Sequence, residues 1–218
     1  MKHSRGQFCY FVVYKPYGVL SQFTAEQEGD LTLASLYDFP PDVYPVGRLD
    51  KDSEGLLLLT NDNFLKSCLL APQFKVEKKY WVQVEGEVTA QAIEQLRQGV
   101  IIRLKGKNYK TQPARVSRIE APDLPERVPP IRFRKSVPTS WLSIGLHEGK
   151  NRQVRRMTAT VGFPTLRLVR AAVGNLSLSR LQIKEAGELR LLSRQEIYRA
   201  VGVPLPGKHK TTNQGFRS

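Results

Sequence analysis

Four leucines in a row, Leu56 to Leu59, follow the charged string Gly47-Arg48-Leu49-Asp50-Lys51-Asp52-Ser53-Glu54-Gly55 and precede Thr60-Asn61-Asp62. A run that is apolar at every position and then meets cap-forming residues predicts a buried strand running into a helix, with Asn61 or Asp62 as the cap. That strand also fixes the standing of what comes before it. Acids and bases crowd a loop that a rigid scaffold holds, and a carboxylate placed there stays open to a ligand.

The neighbouring segments fit a sheet. Phe8 to Tyr14 is aromatic and β-branched and stops at Pro16 and Gly18, which predicts a strand ending in a turn. Lys79 to Glu85 alternates, with Tyr80, Val82 and Val84 on one face of a half-buried strand. Strands are also expected within Val100 to Ile119, around the turn Lys105-Gly106-Lys107-Asn108, and at Trp141 to Leu146 and Leu166 to Val173. Helices are expected at Leu31 to Tyr37, after Thr89 up to Gly99, from Asn151 to Val161, and from the capping box at Ser193 to Gly202. Tyr44 to Asp52 has no period and reads as an irregular loop, and Ala121 to Thr139 reads as a long surface connection. Strands and short helices mix without regular βαβ alternation, so the expected class is α+β around a mixed sheet.

The chain has 218 residues, enough for one large domain or two small lobes to bury a core. Thirty-four Lys and Arg face twenty Asp and Glu, a formal charge of +14 that favours a polyanionic partner. The charge is uneven. Arg132, Arg134, Lys135, Lys150, Arg152, Arg155 and Arg156 stand against the single acid Glu148, and Lys208, Lys210 and Arg217 follow Leu205 with no acid. A one-sided basic stripe implies salt-dependent contact with a nucleic-acid backbone. Cys9 and Cys68 are isolated, and His3, His147 and His209 have no ligand spacing, so neither a disulfide framework nor a zinc site is supported. With no signal-peptide pattern and no apolar run of about 20 residues, a cytoplasmic protein is expected.

Two constellations carry potential chemistry. One is the string from Gly47 to Gly55. The other is Glu148-Gly149-Lys150-Asn151-Arg152-Gln153-Val154-Arg155-Arg156-Met157, whose four cations near a helix start suit a phosphate. Taken alone, each admits a plainer reading. An Asp in a charged loop is ordinarily a turn former or ion partner, three arginines can be a solvated helix face, and Tyr80 can be core.

The string Gly47 to Asn61 resembles the signature of the ribosomal pseudouridine synthases of the small-subunit-type family. Lys15-Pro16-Tyr17-Gly18, Lys79-Tyr80, the string from Glu148 to Met157, and Leu168-Val169-Arg170 resemble the family's other motifs, in its order, from about Phe8 to Gly202. Within the family, Pro129-Pro130-Ile131-Arg132 and the run Arg134 to Trp141 are similar to a member acting on the large ribosomal subunit. Only seven residues precede the first expected strand, so no small amino-terminal RNA-binding module is expected. The expectation is a catalytic domain over residues 1–204 and a basic tail over 205–218.

The resemblance implies the pseudouridine synthase fold, a long, largely antiparallel sheet with a cleft across its middle. It implies Asp50 as the catalytic aspartate and Arg155 as the basic residue paired with it. Tyr80 would pack against the target base with a part in proton transfer, Arg48 would enter the RNA stack where the flipped uridine was, and Leu168 would line the pocket. Lys150, Arg152 and Arg156 are then expected to bind the RNA backbone. The implied reaction isomerises a uridine of ribosomal RNA, of the large subunit by the closer similarity, in a monomer that needs no cofactor or metal. A non-catalytic RNA-binding assembly protein would keep the basic stripe but would not need Asp50, Tyr80 and Arg155 together. A nuclease would call for clustered metal carboxylates or a catalytic His.

Binding to a ribosomal RNA fragment is expected to fall by orders of magnitude over a salt series if ~6–10 phosphates are contacted. A chain cut after Leu205 tests the tail's share, and an affinity flat with salt would defeat the electrostatic reading.

Overall fold

The computed structural model describes residues 7–131, 134 and 136–206. The tail cations Lys208, Lys210 and Arg217, and Arg132 and Lys135 of the basic stripe, lie outside the described residues. In chain order the elements are β1 (Tyr10–Lys15), β2 (Tyr44–Pro45), β3 (Glu54–Thr60), α1 (Asn63–Leu70), β4 (Lys78–Glu85) and α2 (Ala90–Gln98). There follow β5 (Ile101–Leu104), β6 (Lys107–Lys110), β7 (Arg115–Ile119), β8 (Thr139–Leu146), α3 (Gln153–Thr160), β9 (Thr165–Val173), β10 (Leu176–Ser177), β11 (Leu189–Leu191) and α4 (Arg194–Val201).

One long sheet runs β11-β1-β3-β9-β4-β8-β7, with β2 added beside β3 and β10 beside β9. Among the described residues every pairing of these strands is antiparallel except β3 with β9, and an isolated parallel bridge joins Val19 to Leu31. The class is the α+β arrangement around a mixed sheet that the sequence predicts. The four-leucine run is explained by cover on both faces. Leu57 and Leu59 join a core with Phe11, Val13, Val82, Leu96 and Met157. Leu56 and Leu58 point into a second core with Tyr10, Val12, Leu65, Ile197 and Val201. Each strand residue is buried because each face of the sheet has its own layer of helices.

Asp62, not Asn61, caps α1, accepting from Leu65 N, and its other oxygen accepts from Tyr10 and Tyr198 hydroxyls at 2.7 Å each. This one carboxylate therefore fastens α1, β1 and α4 together. Cys9 and Cys68 are buried and unpaired.

Two expected helices come out differently. Leu31 to Tyr37 contains only a 3₁₀ turn at Leu33–Ser35, of which Leu33 alone is buried, so the segment has no apolar face to hold a longer helix. The helix expected from Asn151 begins at Gln153, since Arg152 takes a left-handed conformation at φ 51° that a helix cannot include. The strands expected over Val100 to Ile119 divide: β5 and β6 form a separate two-stranded hairpin, and β7 joins the long sheet. The stretch expected to be irregular, Tyr44 to Asp52, is so beyond the two residues of β2.

The parallel contact joins the halves of the sheet through two residue pairs, Glu54 with Val169 and Gly55 with Arg170. Gly55 has φ +102°, and a Cβ there would lie 2.5 Å from the Arg170 carbonyl oxygen and 2.7 Å from its nitrogen. The join requires glycine. Gly55→Ala is expected to destabilise by about 2–4 kcal/mol, as strained backbone and overpacking add. Gly106→Ala, also at positive φ but with open space around it, should lose less. Equal losses in denaturant titrations would refute the close-approach account.

Candidate active site

The loop before β3 is pinned at several points. Leu49 is buried, its amide donates to Ser21 Oγ at 3.0 Å, and that hydroxyl donates to the Leu49 carbonyl at 2.8 Å. Val46 N donates to Leu58 O, Gly18 N to Lys51 O, and Ser53 N to Asp50 O. Asp50 thus sits on a loop held from both sides, about a third exposed, at the rim of a cleft of about 800 Å³. Tyr80 of β4 and Leu168 of β9, both buried, line the same cleft. The sheet brings them together, since Val82 pairs with Leu168 and Tyr80 with Arg170.

Beneath the loop, Lys15 is fully buried and donates to the carbonyls of Pro16 (2.8 Å) and Val19 (2.6 Å). Burial pushes its ammonium down to about 8, against the opposing pull of Glu54, Asp52 and Asp50. Lys15 thus braces the Pro16–Val19 turn, whose Gly18 holds Lys51. The adjoining Glu54 makes a two-pronged pair with Arg167, at 2.9 and 2.8 Å, that is buried on both sides.

The cations of α3 do not fall as the resemblance implies. Arg155 does not pair with Asp50. Its Nε lies 3.4 Å from the Asp52 carboxylate, and its two other nitrogens donate to the carbonyls of Asp52 (2.6 Å) and Thr165 (3.3 Å). Arg152 makes the two-pronged pair with Asp52, at 2.9 and 2.8 Å, and is the arginine that reaches Asp50, at 3.9 Å. The two carboxylates stand two residues apart in a turn, so their order along the chain leaves open which one meets α3. The turn closed by Ser53 N and Asp50 O decides it.

The remaining cations differ in freedom. Arg156 donates to the Arg103 carbonyl and so fastens the β5–β6 hairpin to α3. Lys150 is exposed, with its ammonium 5.1 Å over the Tyr109 ring. Arg48 is exposed and, among the described residues, its one ion pair is with Glu26, at 3.6 Å. The amide of Lys150 is already taken by Gln153 Oε1, and Glu148 accepts from Gln153, Gln112 N and Tyr109. The helix start therefore has fewer free amides for a phosphate than its sequence suggests. Asp52, Lys15, Ser21 and Arg167 escaped sequence reasoning as site residues. Asp52 and Lys15 lie inside strings that carry the resemblance, and that was the one signal available.

A single cleft thus gathers Asp50, its arginine neighbours, a buried tyrosine and an apolar wall, on a sheet whose halves meet at one parallel contact. The chain belongs to the RNA pseudouridylate synthase family, which residues 9–160 match. The ribosomal large subunit pseudouridine synthase E of Vibrio vulnificus is 54% identical over 181 residues, covering 82% of this chain and 74% of that protein. The protein of the same name from Xanthomonas campestris is 52% identical over 169 residues, covering 77% and 88%. A crystal structure of a pseudouridylate synthase superposes with a TM-score of 0.71 at 25% identity, over 89% of this chain and 74% of the other.

Asp52 generates a pH prediction. Burial would raise its carboxyl, but the hydrogen bond from Arg152 and the charges of Arg155 and Arg152 outweigh it and hold the group below the usual carboxylate range. A depressed folded-state value adds stability that is whole above the unfolded value near ~4 and is lost as pH falls through the folded one. Asp52→Asn is expected to cost about 1–3 kcal/mol at pH 7, with the gap from wild type closing in acid. A gap that stays constant from pH 7 to pH 2 in urea titrations would contradict the pairing.

Proposed function

We propose that this chain isomerises one specific uridine of large-subunit ribosomal RNA to pseudouridine, as a cytoplasmic monomer, with Asp50 as the catalytic carboxylate. The observation that carries the reading is Asp50 held at the cleft rim between Arg152 and the wall formed by Tyr80 and Leu168. The names of relatives more than 50% identical support the choice of substrate. Residues 1–204 would form the catalytic domain, and 205–218 a tail adding basic charge.

In the reaction the N1–C1′ bond breaks, the uracil turns, C5 bonds to C1′, C5 gives up its proton and N1 gains one. Composition is unchanged, so no external reactant is needed. The Asp50 carboxylate acts on the ribose, as nucleophile at C1′ or as base at the 2′ carbon. Arg152 places a positive charge 3.9 Å from that carboxylate. Arg155 acts one step removed, by fixing Asp52 and through it Arg152, and is a positioning residue rather than Asp50's partner. Tyr80 packs against the base and serves proton transfer, while Leu168 keeps water off it. Flipping the uridine costs a few kcal/mol. Arg48, whose weak exposed pair with Glu26 costs little to break, fills the vacated place in the stack. Lys150 is the cation of its string most available to a phosphate, since Arg152 and Arg156 are engaged within the protein.

Carbodiimide-based pseudouridine mapping of ribosomal RNA from cells lacking the gene should reveal one missing modification, restored by the wild-type gene and not by Asp50→Asn. The purified variant should fold and bind RNA yet release no tritium from C5-labelled uridine RNA, because the amide keeps the shape without the nucleophile or base. Substantial turnover by Asp50→Asn would remove Asp50 from the mechanism, and an unchanged modification map would remove ribosomal RNA as the substrate.

A further inference from the structure

The arginines around the Asp50 loop are matched by carboxylates: Arg152 and Arg155 by Asp52, Arg167 by Glu54, and Arg48 by Glu26. Three cations lining the same cleft are not, among the described residues: Lys150, which is exposed, and the less accessible Lys78 and Arg170. Lys78 and Arg170 have no carboxylate within 4 Å among the described residues, although Arg170 is 95% buried, at 5% exposure, and Lys78 is half-buried. They stand on adjacent strands. Arg170 of β9 is the register partner of Tyr80, and Lys78 lies two residues before Tyr80 on β4.

Neither side chain has its donors used up. Arg170 spends Nε on the Leu56 carbonyl at 2.8 Å, which leaves its two terminal nitrogens. The Lys78 ammonium has one long contact, 3.5 Å to the Val76 carbonyl. Burial first, and then the charge of Arg170, push this lysine below its ordinary value, so the pair is an uncompensated concentration of positive charge. Holding two cations together out of water without an acid is costly, and an anion entering between them offsets that cost.

We propose that Lys78 and Arg170 form an anion site on the β4–β9 wall of the cleft, which takes a phosphodiester of the bound RNA beside the nucleotide presented to Asp50. This rests on the RNA-modifying function proposed above. Tyr80 and Leu168 offer uncharged surface to a neutral base, whereas this pair matches the single negative charge of a backbone phosphate. Holding the phosphate next to the flipped nucleotide fixes the sugar against Asp50, a positioning role distinct from the chemistry.

The test uses the whole chain. Arg170 also anchors Leu56, so Lys78→Gln is the principal variant and Arg170→Lys, which keeps the charge, is the second. Filter binding to a large-subunit ribosomal RNA transcript across a KCl series should give Lys78→Gln a log–log slope smaller by about one than wild type, with Arg170→Lys staying close to wild type. In parallel, inorganic phosphate should raise the melting temperature of wild type beyond KCl of equal ionic strength, and Lys78→Gln should lose that increment. A wild-type slope in Lys78→Gln overturns the assignment, and if the phosphate increment alone is lost, the site takes free phosphate and not RNA. Neither arm reads isomerisation. Absence of pseudouridine formation would therefore sink the proposed function while leaving this site standing.

Discussion

The short parallel contact between β3 and β9 is the constraint on which the site depends. Two pairs of residues hold the halves of the long sheet together, and the backbones approach so closely that Gly55 has no room for a Cβ. Beyond Gly55 the strands are no longer paired, and the carbonyl of Leu56 accepts from the Arg170 side chain instead of from a strand. Immediately before it, Glu54 and Arg167 lock the same two strands through a buried two-pronged pair. A buried ion pair is weak as a source of net stability but strict about geometry. Here it fixes the spacing at the mouth of the loop that carries Asp50.

Electrostatics then sort the carboxylates. Glu54 is wholly engaged, Asp52 serves as the hub for Arg152 and Arg155, and Asp50 keeps, among the described residues, only the longer ion pair with Arg152. Three acids within five residues have three different burdens because the turn aims each differently. The carboxylate with the longest contact is the one left open to the cleft. Arg167 also reaches the carbonyl of Pro125, and Arg127 lies 4.2 Å over the Tyr17 ring, so the long connection after β7 is laid against β9 and the Pro16–Val19 turn. The β5–β6 hairpin is fastened in turn by Tyr109 to Glu148 and by Arg156 to Arg103.

Much of this was legible beforehand because the signals are local. The alternation at Lys78 to Glu85, the cap at Thr89, the capping box at Ser193 and the four-leucine strand each depend on residues near one another in the chain. The short motifs located Asp50, Tyr80 and Leu168, which the fold gathers at one cleft. The helix expected before Pro40 is only a 3₁₀ turn, and the one expected from Asn151 starts two residues later because Arg152 is held left-handed, with its guanidinium spent on Asp52.

By itself the sequence determined the α+β class, the buried four-leucine strand, the basic character and the motif positions Asp50, Tyr80 and Leu168, because apolar pattern, capping and motif are properties of neighbouring residues. The tertiary structure alone decided which arginine meets which carboxylate. It turned Arg155 to Asp52, left Arg152 as the contact of Asp50, buried Lys15 under the loop and set Lys78 beside Arg170 without an acid. Arg152 and Arg155 lie about a hundred residues along the chain from Asp50 and Asp52. Long flexible side chains choose partners by distance and burial in the folded state, and composition holds no record of that choice.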